Sequence, residues 1–402
     1  MKKVGIISYY YENYNYGALL QAFALVKSVQ DLNDYSCELI TYKPDGNSMF
    51  VKKTRFSEKI KKIISGNFKY LIQTVFYKYL KKTIEKIMNV FYSEKLGDRA
   101  NKVKMFRDSI PHSSIITAEN LNKISNIYDV FLSGSDQIWK PSVVDDAYVF
   151  NIFEDSEDKK NVFSYASSVA VSSYPEEYLE FMKQSLEKYS NISMREKDNA
   201  LFFEKYLGTP VKWVVDPTFL IDRKEWDKLA SEKLIADDYI FCYLLGTSKK
   251  QRKIVEEYSK TKGLKLVTLP HMSTGHGFQF RIEDYRFGDI QMYDVGVPEF
   301  LSLIKYANIV ITDSFHATVM SYMFKCDFYT LVREVRLSEE NMDYRIYSLM
   351  EIFGGVNRII HNSNDLLDKK YEKLDYTKMD SSVQKYVENS KDYLRNALCA
   401  CS

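Results

Sequence analysis

The sequence has few cysteines and no long apolar run, and these shortages exclude several classes of protein. Its cysteines are odd in number and form no CxxC pair. They are Cys37, Cys242, Cys326, Cys399 and Cys401. They therefore indicate neither a disulfide framework nor a zinc site. No stretch approaches the roughly 18 apolar residues of a membrane-spanning helix, and the apolar start is too short for a signal peptide. We therefore expect a cytoplasmic protein that needs no metal and no cofactor.

The chain also lacks repeats of a fixed period, low-complexity linkers and nucleic-acid-binding motifs. Its 402 residues are enough for two domains, and 45% hydrophobic with 27% charged residues is typical of a soluble globular protein. The 32 tyrosines are unusual. Aromatic surface with a polar rim suits sugar rings, although tyrosine is also a common strand and core residue.

One segment carries most of the positive charge. The net charge is only +2, yet residues 51–104 contain 15 Lys or Arg against 4 Asp or Glu, an excess of +11. Apolar residues such as Leu71, Val75 and Tyr79 recur in this segment at helical spacing. A basic amphipathic helix pair is typical of proteins that bind an anionic membrane, but a helical subdomain with a solvated lysine face fits as well.

Short apolar runs alternate with helical patterns in both halves of the chain. This alternation predicts an α/β fold with two Rossmann-like, doubly wound domains that face a cleft. Pro217 and the turn at Asp222 mark the expected junction. The predicted units are an N-terminal domain 1–220 with the basic helical insert 51–104, a C-terminal domain 221–375, and a C-terminal helix 376–402 that crosses back to the first domain.

The stretch from Asn308 to Leu331 is the most informative for function. An apolar strand ends at Asp313 and Ser314, and His316 follows at the start of a predicted helix. Ligands of parallel sheets bind at the carboxyl ends of the strands, and a helix N-terminus favours an anion. His316 can therefore act as a general acid beside an anion site. Asp313 can orient it or simply cap the helix.

Other polar residues also follow predicted strands. Arg195 could bind an anion through its guanidinium or pair with Glu196 on the surface. Asp136 and Asp216 are candidates for a base or for binding sugar hydroxyls, although Asp216 before a proline also suits an Asx turn. The loop after the first strand offers a further set of candidates for ligand binding, namely Asn13, Tyr16 and Gln21. A later loop with His271 and His276 is a candidate lid.

Blocks of sequence in a fixed order resemble the polysaccharide pyruvyl transferase family. They are Asn13-x-Asn15-Tyr16-Gly17-Ala18-x-Leu20-Gln21, Ser133-Gly134-Ser135-Asp136-Gln137-Ile138-Trp139, Ser193-Met194-Arg195-Glu196-Lys197, Val215-Asp216-Pro217-Thr218, Thr312-Asp313-Ser314-Phe315-His316 and Tyr344-Arg345-Ile346-x-Ser348-Leu349. No single block is specific, but the ordered set covers nearly the whole chain apart from the basic insert.

The resemblance implies a glycosyltransferase-B-like fold and a ketal-forming transferase. It places the acceptor on domain 1–220, where Asn13, Tyr16 and Gln21 would bind it, and the donor on domain 221–375. Members move pyruvate from phosphoenolpyruvate, the co-substrate, to two hydroxyls of a bacterial surface polysaccharide, often as a lipid-linked precursor. The motifs imply that Arg195 and His316 contact phosphoenolpyruvate, with Ser314 and Phe315 beside it. Several members carry Arg-Leu where this chain has Ser314-Phe315, so a second cation would come from Arg345 or Arg333.

Two other functions remain open at this point. The same cleft could serve a glycosyltransferase that uses a nucleotide-sugar, with the late histidine turn and Arg345 holding the diphosphate. A non-catalytic member that binds glycan is the third reading. The expected partners are a sugar or lipid-linked oligosaccharide acceptor and an anionic membrane on the inner face of the cell, with no nucleic acid.

Overall fold

A computed structural model describes residues 1–44, 49–50, 68–151, 161–271, 279–333, 344–356, 358–368 and 373–401. Two parallel β-sheets of five and six strands, a parallel pair of strands beside the first sheet, and the helices packed around them make up this part of the chain. The predicted α/β class is therefore confirmed. Residues 51–67 of the predicted basic insert and His276 of the candidate lid lie outside the described residues.

The first sheet comes from the N-terminal half and is entirely parallel. Its strand order is β3–β2–β1–β4–β5, with Ile6 paired to both Leu39 and Leu132. Single bridges from Phe163 to Asn191 and from Ser167 to Met194 extend it towards the parallel pair β6–β7. The bounds are β1 (Lys2–Ile7), β2 (Tyr35–Tyr42), β3 (His112–Ile116), β4 (Val130–Ser133), β5 (Val162–Ser164), β6 (Ile192–Met194) and β7 (Val211–Trp213).

The second sheet comes from the C-terminal half and is also parallel. Its strand order is β10–β9–β8–β11–β12–β13. The bounds are β8 (Tyr239–Tyr243), β9 (Lys265–Thr268), β10 (Ile290–Gln291), β11 (Ile309–Thr312), β12 (Asp327–Leu331) and β13 (Ile359–Ile360). The predicted junction near residue 220 falls between β7 and β8, and the division into domains at that point stays a prediction.

Helices connect successive strands, as parallel pairing requires. They are α1 (Tyr16–Gln30), α2 (Phe68–Phe91), α3 (Ser93–Ser109), α4 (Glu176–Leu186), α5 (Lys197–Leu207), α6 (Arg223–Leu229), α7 (Lys249–Lys262), α8 (Val297–Lys305), α9 (Phe315–Met323), α10 (Tyr344–Ile352) and α11 (Tyr376–Ala400). Within the described residues, no helix is long and apolar enough to cross a membrane.

Helix α1 lies between the two halves of the molecule. Its sequence is apolar on nearly every side, and Asn15 caps it by accepting a hydrogen bond from the Gly17 amide. The Tyr16 ring stacks on Phe300 of α8 at 4.6 Å, and its hydroxyl donates to the Val295 carbonyl. The N-terminus of α1 is therefore fixed against the C-terminal half.

The insert helices α2 and α3 also pack against the C-terminal half, although they follow β2 in the sequence. On α2, Lys81 pairs with Glu283 at 2.6 Å. On α3, Arg99 donates to the Pro270 carbonyl at 2.8 Å, and Lys102 pairs with Glu299 at 3.0 Å. The insert therefore bridges the two halves.

Helix α11 makes a second bridge. Near its start, Asp380 accepts a hydrogen bond from Tyr322 of α9 at 2.9 Å. Further along, Ser390 accepts from the Val215 amide and Tyr393 donates to the Ser164 carbonyl. The helix therefore begins on the C-terminal half and runs back to the N-terminal sheet.

Candidate active site

The carboxyl ends of strands from both sheets meet at His316. This residue is in the first turn of α9, directly after β11, and its side chain is 12% exposed. Its Nε2 atom lies 3.4 Å from Oδ2 of Asp216, which follows β7 of the other sheet. This separation is longer than a good hydrogen bond, so the contact is mainly electrostatic.

The other side of the His316 ring faces the start of α1. A Cβ atom built on Gly17 would lie 2.1 Å from Nδ1 of His316. Because no real Cβ approaches another atom so closely, any larger residue at this position would displace the His316 ring. His316 is thus held between Gly17 and Asp216.

Arg195 lies directly after β6 and holds Asp216 in place. Its Nη1 donates to Oδ2 of Asp216 at 2.9 Å, Nε lies 3.4 Å from Glu196, and Nη2 lies 3.7 Å from Asp136. Its side chain is only 2% exposed. In this arrangement, Arg195 orients the carboxylates beside His316. The predicted contact with a donor anion stays a prediction.

The buried charges fix the ionisation of this cluster. Burial alone would raise the pKa of Asp216, but the charges of His316 and Arg195 outweigh it and hold that pKa well below its usual range. Burial alone would lower the pKa of Arg195, whereas Glu196, Asp216 and Asp136 together raise it. Asp216 is therefore an ionised carboxylate at neutral pH.

Asp216 also forms the Asx turn suggested by the proline that follows it. Its Oδ1 accepts hydrogen bonds from the Thr218 amide at 3.0 Å and from the Thr218 hydroxyl at 2.6 Å. One oxygen thus shapes the turn while the other faces Arg195 and His316. The turn and the site depend on the same residue.

Asp136 has an unusual backbone conformation. Its φ of 74° and ψ of −175° lie in a region that is almost restricted to glycine. The Asp136 carbonyl accepts from the Ser168 amide at 3.0 Å, and its carboxylate is the most exposed of the three around Arg195. Such strain persists where the surrounding structure holds it, and it often occurs at functional sites.

Asp313 faces away from the Asp216 contact and shapes the C-terminal loops. It accepts hydrogen bonds from the Leu245 and Gly246 amides at 2.6 and 2.7 Å. Arg333, after β12, lies 3.3 Å from its carboxylate and donates to its carbonyl at 3.2 Å. The carboxylate next to His316 is therefore that of Asp216 rather than Asp313, and Arg333 brings a positive charge to the turn before Ser314.

The two residues between Asp313 and His316 are both buried. The Ser314 hydroxyl caps α9 by accepting from the Ala317 amide at 3.4 Å. The Phe315 ring packs 4.9 Å from the Arg195 guanidinium, across the junction of the two halves. Donor binding by Ser314 and Phe315 stays a prediction.

Arginines surround the carboxyl ends of the C-terminal strands. Each donates to a loop carbonyl: Arg99 to Pro270, Arg252 to Gly246, Arg281 to Leu245 and Arg333 to Asp313. Burial, followed by the charges of these four arginines, holds the pKa of His271 well below its usual value. Asp284 pairs with Arg252 and Arg281, and Asp313 pairs with Arg333, so the arginines at this edge of the second sheet outnumber the carboxylates that pair with them.

The remaining predicted residues have structural contacts. Asn13 donates to the Tyr9 carbonyl and accepts from the Asn15 amide, which shapes the first loop. Gln21 is fully buried and donates to Ser8 at 2.9 Å. Arg345 is half-buried in the first turn of α10. Their acceptor and donor roles stay predictions.

The sequence indicated each of these residues separately, as a polar side chain after a predicted strand. It did not indicate which of them contact each other. The role of Gly17 was the least visible, because it depends on a contact with a residue far along the chain. The described residues contain no group of three or more metal-ligating side chains. The chemistry available is that of a histidine, buried carboxylates and arginines.

Solved structures with the same fold are known, although their sequences differ. A Listeria monocytogenes protein named as a UDP-N-acetylglucosamine 2-epimerase is 11% identical, with 100% of this chain and 96% of that chain covered and a TM-score of 0.50. The S. aureus protein MnaA, solved with UDP, is 12% identical, with coverage of 98% and 97% and a TM-score of 0.50. These likenesses establish a glycosyltransferase-B-like fold.

No curated protein is similar to this chain in sequence. The model of the polysaccharide pyruvyl transferase family, however, matches residues 15–334. This range runs from the cap of α1 to the residue after Arg333, so it contains both motifs that meet at His316. The chain therefore belongs to the polysaccharide pyruvyl transferase family.

Proposed function

We propose that this protein transfers the pyruvyl group of phosphoenolpyruvate to two hydroxyls of a sugar, which forms a cyclic ketal. The observation that carries the proposal is the 3.4 Å contact between His316 and the ionised Asp216 at the junction of the two sheets. An imidazole next to a fixed carboxylate is suited to general acid catalysis near neutral pH. The sugar would belong to a bacterial surface polysaccharide, such as a capsule or exopolysaccharide, or to its lipid-linked precursor.

The proposed reaction begins with a proton from His316. This proton goes to C3 of the enol, which becomes the methyl group, and C2 gains oxocarbenium character. One sugar hydroxyl attacks C2, the bond from C2 to the phosphate oxygen breaks, and a second hydroxyl then attacks C2 and closes the ketal. Inorganic phosphate leaves with the proton of one hydroxyl, and the proton of the other hydroxyl returns to His316, which restores the acid for the next turnover. Positioned acid catalysis of this kind contributes roughly 10²–10⁴-fold in rate.

The charges on the two sides of the cleft support an assignment of donor and acceptor. Phosphoenolpyruvate carries a phosphate and a carboxylate, and the arginines at the second sheet offer positive potential to both. The facing edge of the first sheet is negative, because three carboxylates surround one arginine there. The carboxylates are those of Asp136, Glu196 and Asp216, and the arginine is Arg195. Carboxylates accept hydrogen bonds from hydroxyls, so the sugar belongs on this side.

Arg333 is the best-placed candidate for the second cation of the donor site. Family members often carry an arginine two residues before the late histidine, where this chain has Ser314. The Arg333 guanidinium contacts the Asp313 carbonyl, one residue before that position, and its side chain is 25% exposed. It can therefore supply the positive charge that the local sequence lacks.

Ligand-induced stabilisation tests the proposal. A ligand at 100 times its Kd should stabilise the protein by about 2.7 kcal/mol. We expect phosphoenolpyruvate to raise the melting temperature and UDP-N-acetylglucosamine to leave it unchanged, with Arg333→Met weakening the effect of phosphoenolpyruvate. Stabilisation by the nucleotide-sugar alone would instead favour a glycosyltransferase, and no response to either would favour a non-catalytic glycan-binding protein.

The outer face of α2 supports a proposal that the protein acts at a membrane. Large apolar side chains on this face are strongly exposed: Tyr79 at 73%, Ile87 at 51%, Val90 at 73% and Phe91 at 78%. Exposed lysines, such as Lys82 and Lys86, lie among them. A basic face with apolar side chains matches an anionic lipid surface, so we propose that the protein binds the membrane that presents a lipid-linked acceptor.

A further inference from the structure

A cavity lies beside the loop that joins β1 to α1. It has a volume of about 520 Å³ and is lined by this loop, by the edge formed by β2 and β3, and by the C-terminal end of α3. Its walls include Tyr11, Tyr14, Lys104, Arg107 and Ser113. None of these residues belongs to the cluster around His316, and the proposed reaction does not use them.

The chemistry of the walls suits a neutral, polyhydroxylated ligand. Half-buried tyrosine rings provide flat faces for the C–H side of a sugar ring. The Arg107 guanidinium lies 5.6 Å from the Tyr11 ring and pairs with Asp108 at 3.0 Å. Lys104 and Arg107 are balanced by Glu12 and Asp108, so the cavity has no excess of one charge that would favour a nucleotide or a phosphate.

Hydrogen bonds to β2 and β3 hold the loop that forms one wall of the cavity. The Tyr10 hydroxyl and the Thr41 hydroxyl are 2.6 Å apart, and Thr41 donates to the Ser113 carbonyl at 2.8 Å. These bonds tie the loop to β2 and β3. A pre-formed pocket with aromatic walls and a few polar groups is typical of a ligand site, and its volume is within the roughly 300–1,000 Å³ usual for one.

The cavity is close to the proposed reaction site. Tyr14 lines the cavity, and Gly17 contacts His316. Three residues of chain separate their Cα atoms by at most about 11 Å. The short loop segment from Tyr14 to Gly17 therefore connects a wall of the cavity to the contact with His316.

We propose that this cavity binds a sugar unit of the acceptor glycan adjacent to the unit that is pyruvylated. The proposal rests on the proposed function, since it assigns a second subsite to the same acceptor. It also gives α3 a role in recognition, because Lys104 and Arg107 belong to the insert. The enzyme would then distinguish an oligosaccharide from a single sugar.

Saturation-transfer NMR with cellobiose, lactose and chitobiose as probes tests this subsite. We expect at least one of these neutral disaccharides to receive saturation from the wild-type protein, and the signal to fall at least fivefold in Tyr14→Ala. Arg107→Met gives a second variant that keeps most of the side-chain stem. Tyr347→Ala, which changes an exposed tyrosine elsewhere, serves as the matched control and should keep the signal.

The outcomes for the subsite and for the proposed function are separable. A signal that is absent from the wild type, or equal in the wild type and both cavity variants, would overturn the subsite. Stabilisation by phosphoenolpyruvate is measured on the same samples and should persist in Tyr14→Ala. If phosphoenolpyruvate fails to stabilise even the wild type, the proposed function fails, while the disaccharide comparison still decides the cavity.

Discussion

Gly17 and His316 are 299 positions apart in the sequence, yet a Cβ atom on Gly17 would lie 2.1 Å from Nδ1 of His316. One residue is in the first turn of α1 and the other is in the first turn of α9. The sequence block that contains Asn15, Tyr16 and Gly17 therefore contacts the block that contains His316. The glycine leaves room for the imidazole.

We expect Gly17→Ala to displace His316 and to lower activity at least tenfold. Alanine normally stabilises a helix relative to glycine by up to about 1 kcal/mol, whereas overpacking costs about 1–3 kcal/mol. Gly97→Ala in α3 is the matched control, because nothing lies within 4 Å of its added Cβ. Phosphate release and melting temperature are measured for both variants. Equal behaviour of the two would show that the contact with His316 does not matter.

We expect His316→Gln to lower turnover by roughly 10²–10⁴-fold while the protein remains folded. The side chain is partly exposed and its ring nitrogens make no close hydrogen bond within the described part of the chain, so its loss should disturb packing little. His361→Gln, at an exposed histidine on the C-terminal half, is the control. Near-normal phosphate release by His316→Gln would remove this residue from the mechanism.

The sequence predicted most strands and crossover helices correctly, because apolar runs and helical spacing reflect burial directly. The strand at Ile309 and the helix after Ser314 are examples. The sequence pattern does not reveal β3, which is polar and mostly exposed at the sheet edge, or the two-residue strands β10 and β13. A short edge strand has no apolar alternation to reveal it.

The contacts between residues of the site were harder to predict from the sequence than the residues themselves. A residue after a strand is visible in the sequence, but the carboxylate that faces His316 depends on how the two halves pack. Asp313 is close in sequence and was the natural choice, yet its carboxylate contacts the Leu245 and Gly246 amides. The sequence left Arg195 either to bind an anion or to pair with Glu196, and only the fold reveals that Asp216 and Asp136 also surround it.

The strained backbone of Asp136 leads to a comparison of two variants. Asp136→Gly and Asp136→Asn both remove the carboxylate, but only glycine adopts φ of 74° with ψ of −175° without strain. Such strain costs about 1–3 kcal/mol, so the glycine variant should be the more stable by at least about 1 kcal/mol. Urea unfolding at neutral pH measures the difference. An asparagine variant of equal or greater stability would contradict the strain.

His271 should make the stability of the protein depend on pH. Burial and the nearby arginines lower its pKa in the folded state, so the unfolded chain binds a proton more readily. The free energy of unfolding should therefore fall as the pH drops below about 6.5, by up to about 1.4 kcal/mol per pH unit. We expect His271→Gln to lose less stability than the wild type between pH 7 and 5. His112→Gln, at an exposed histidine, should behave like the wild type.

The outer face of α2 should attach the protein to anionic membranes. Ile87 and Phe91 are one helical turn apart, and both are more than half exposed. Each nearby lysine contributes about 1 kcal/mol at such a surface, and salt screens this contribution. We expect flotation with vesicles that contain phosphatidylserine at low salt, weaker flotation at high salt, and little with neutral phosphatidylcholine vesicles.

The double variant Ile87→Ser, Phe91→Ser should lose this flotation, and Lys82→Glu, Lys86→Glu should lose its dependence on anionic lipid. Leu201→Ser, Phe202→Ser is the matched control, because these apolar residues are also exposed, at 59% and 39%, but lie on α5. Serine at Leu201 and Phe202 also removes exposed apolar surface, but it leaves the basic face unchanged. Equal loss in both serine variants would attribute the binding to general hydrophobicity. Flotation that is unchanged by the α2 substitutions would leave the insert as a bridge between the two halves.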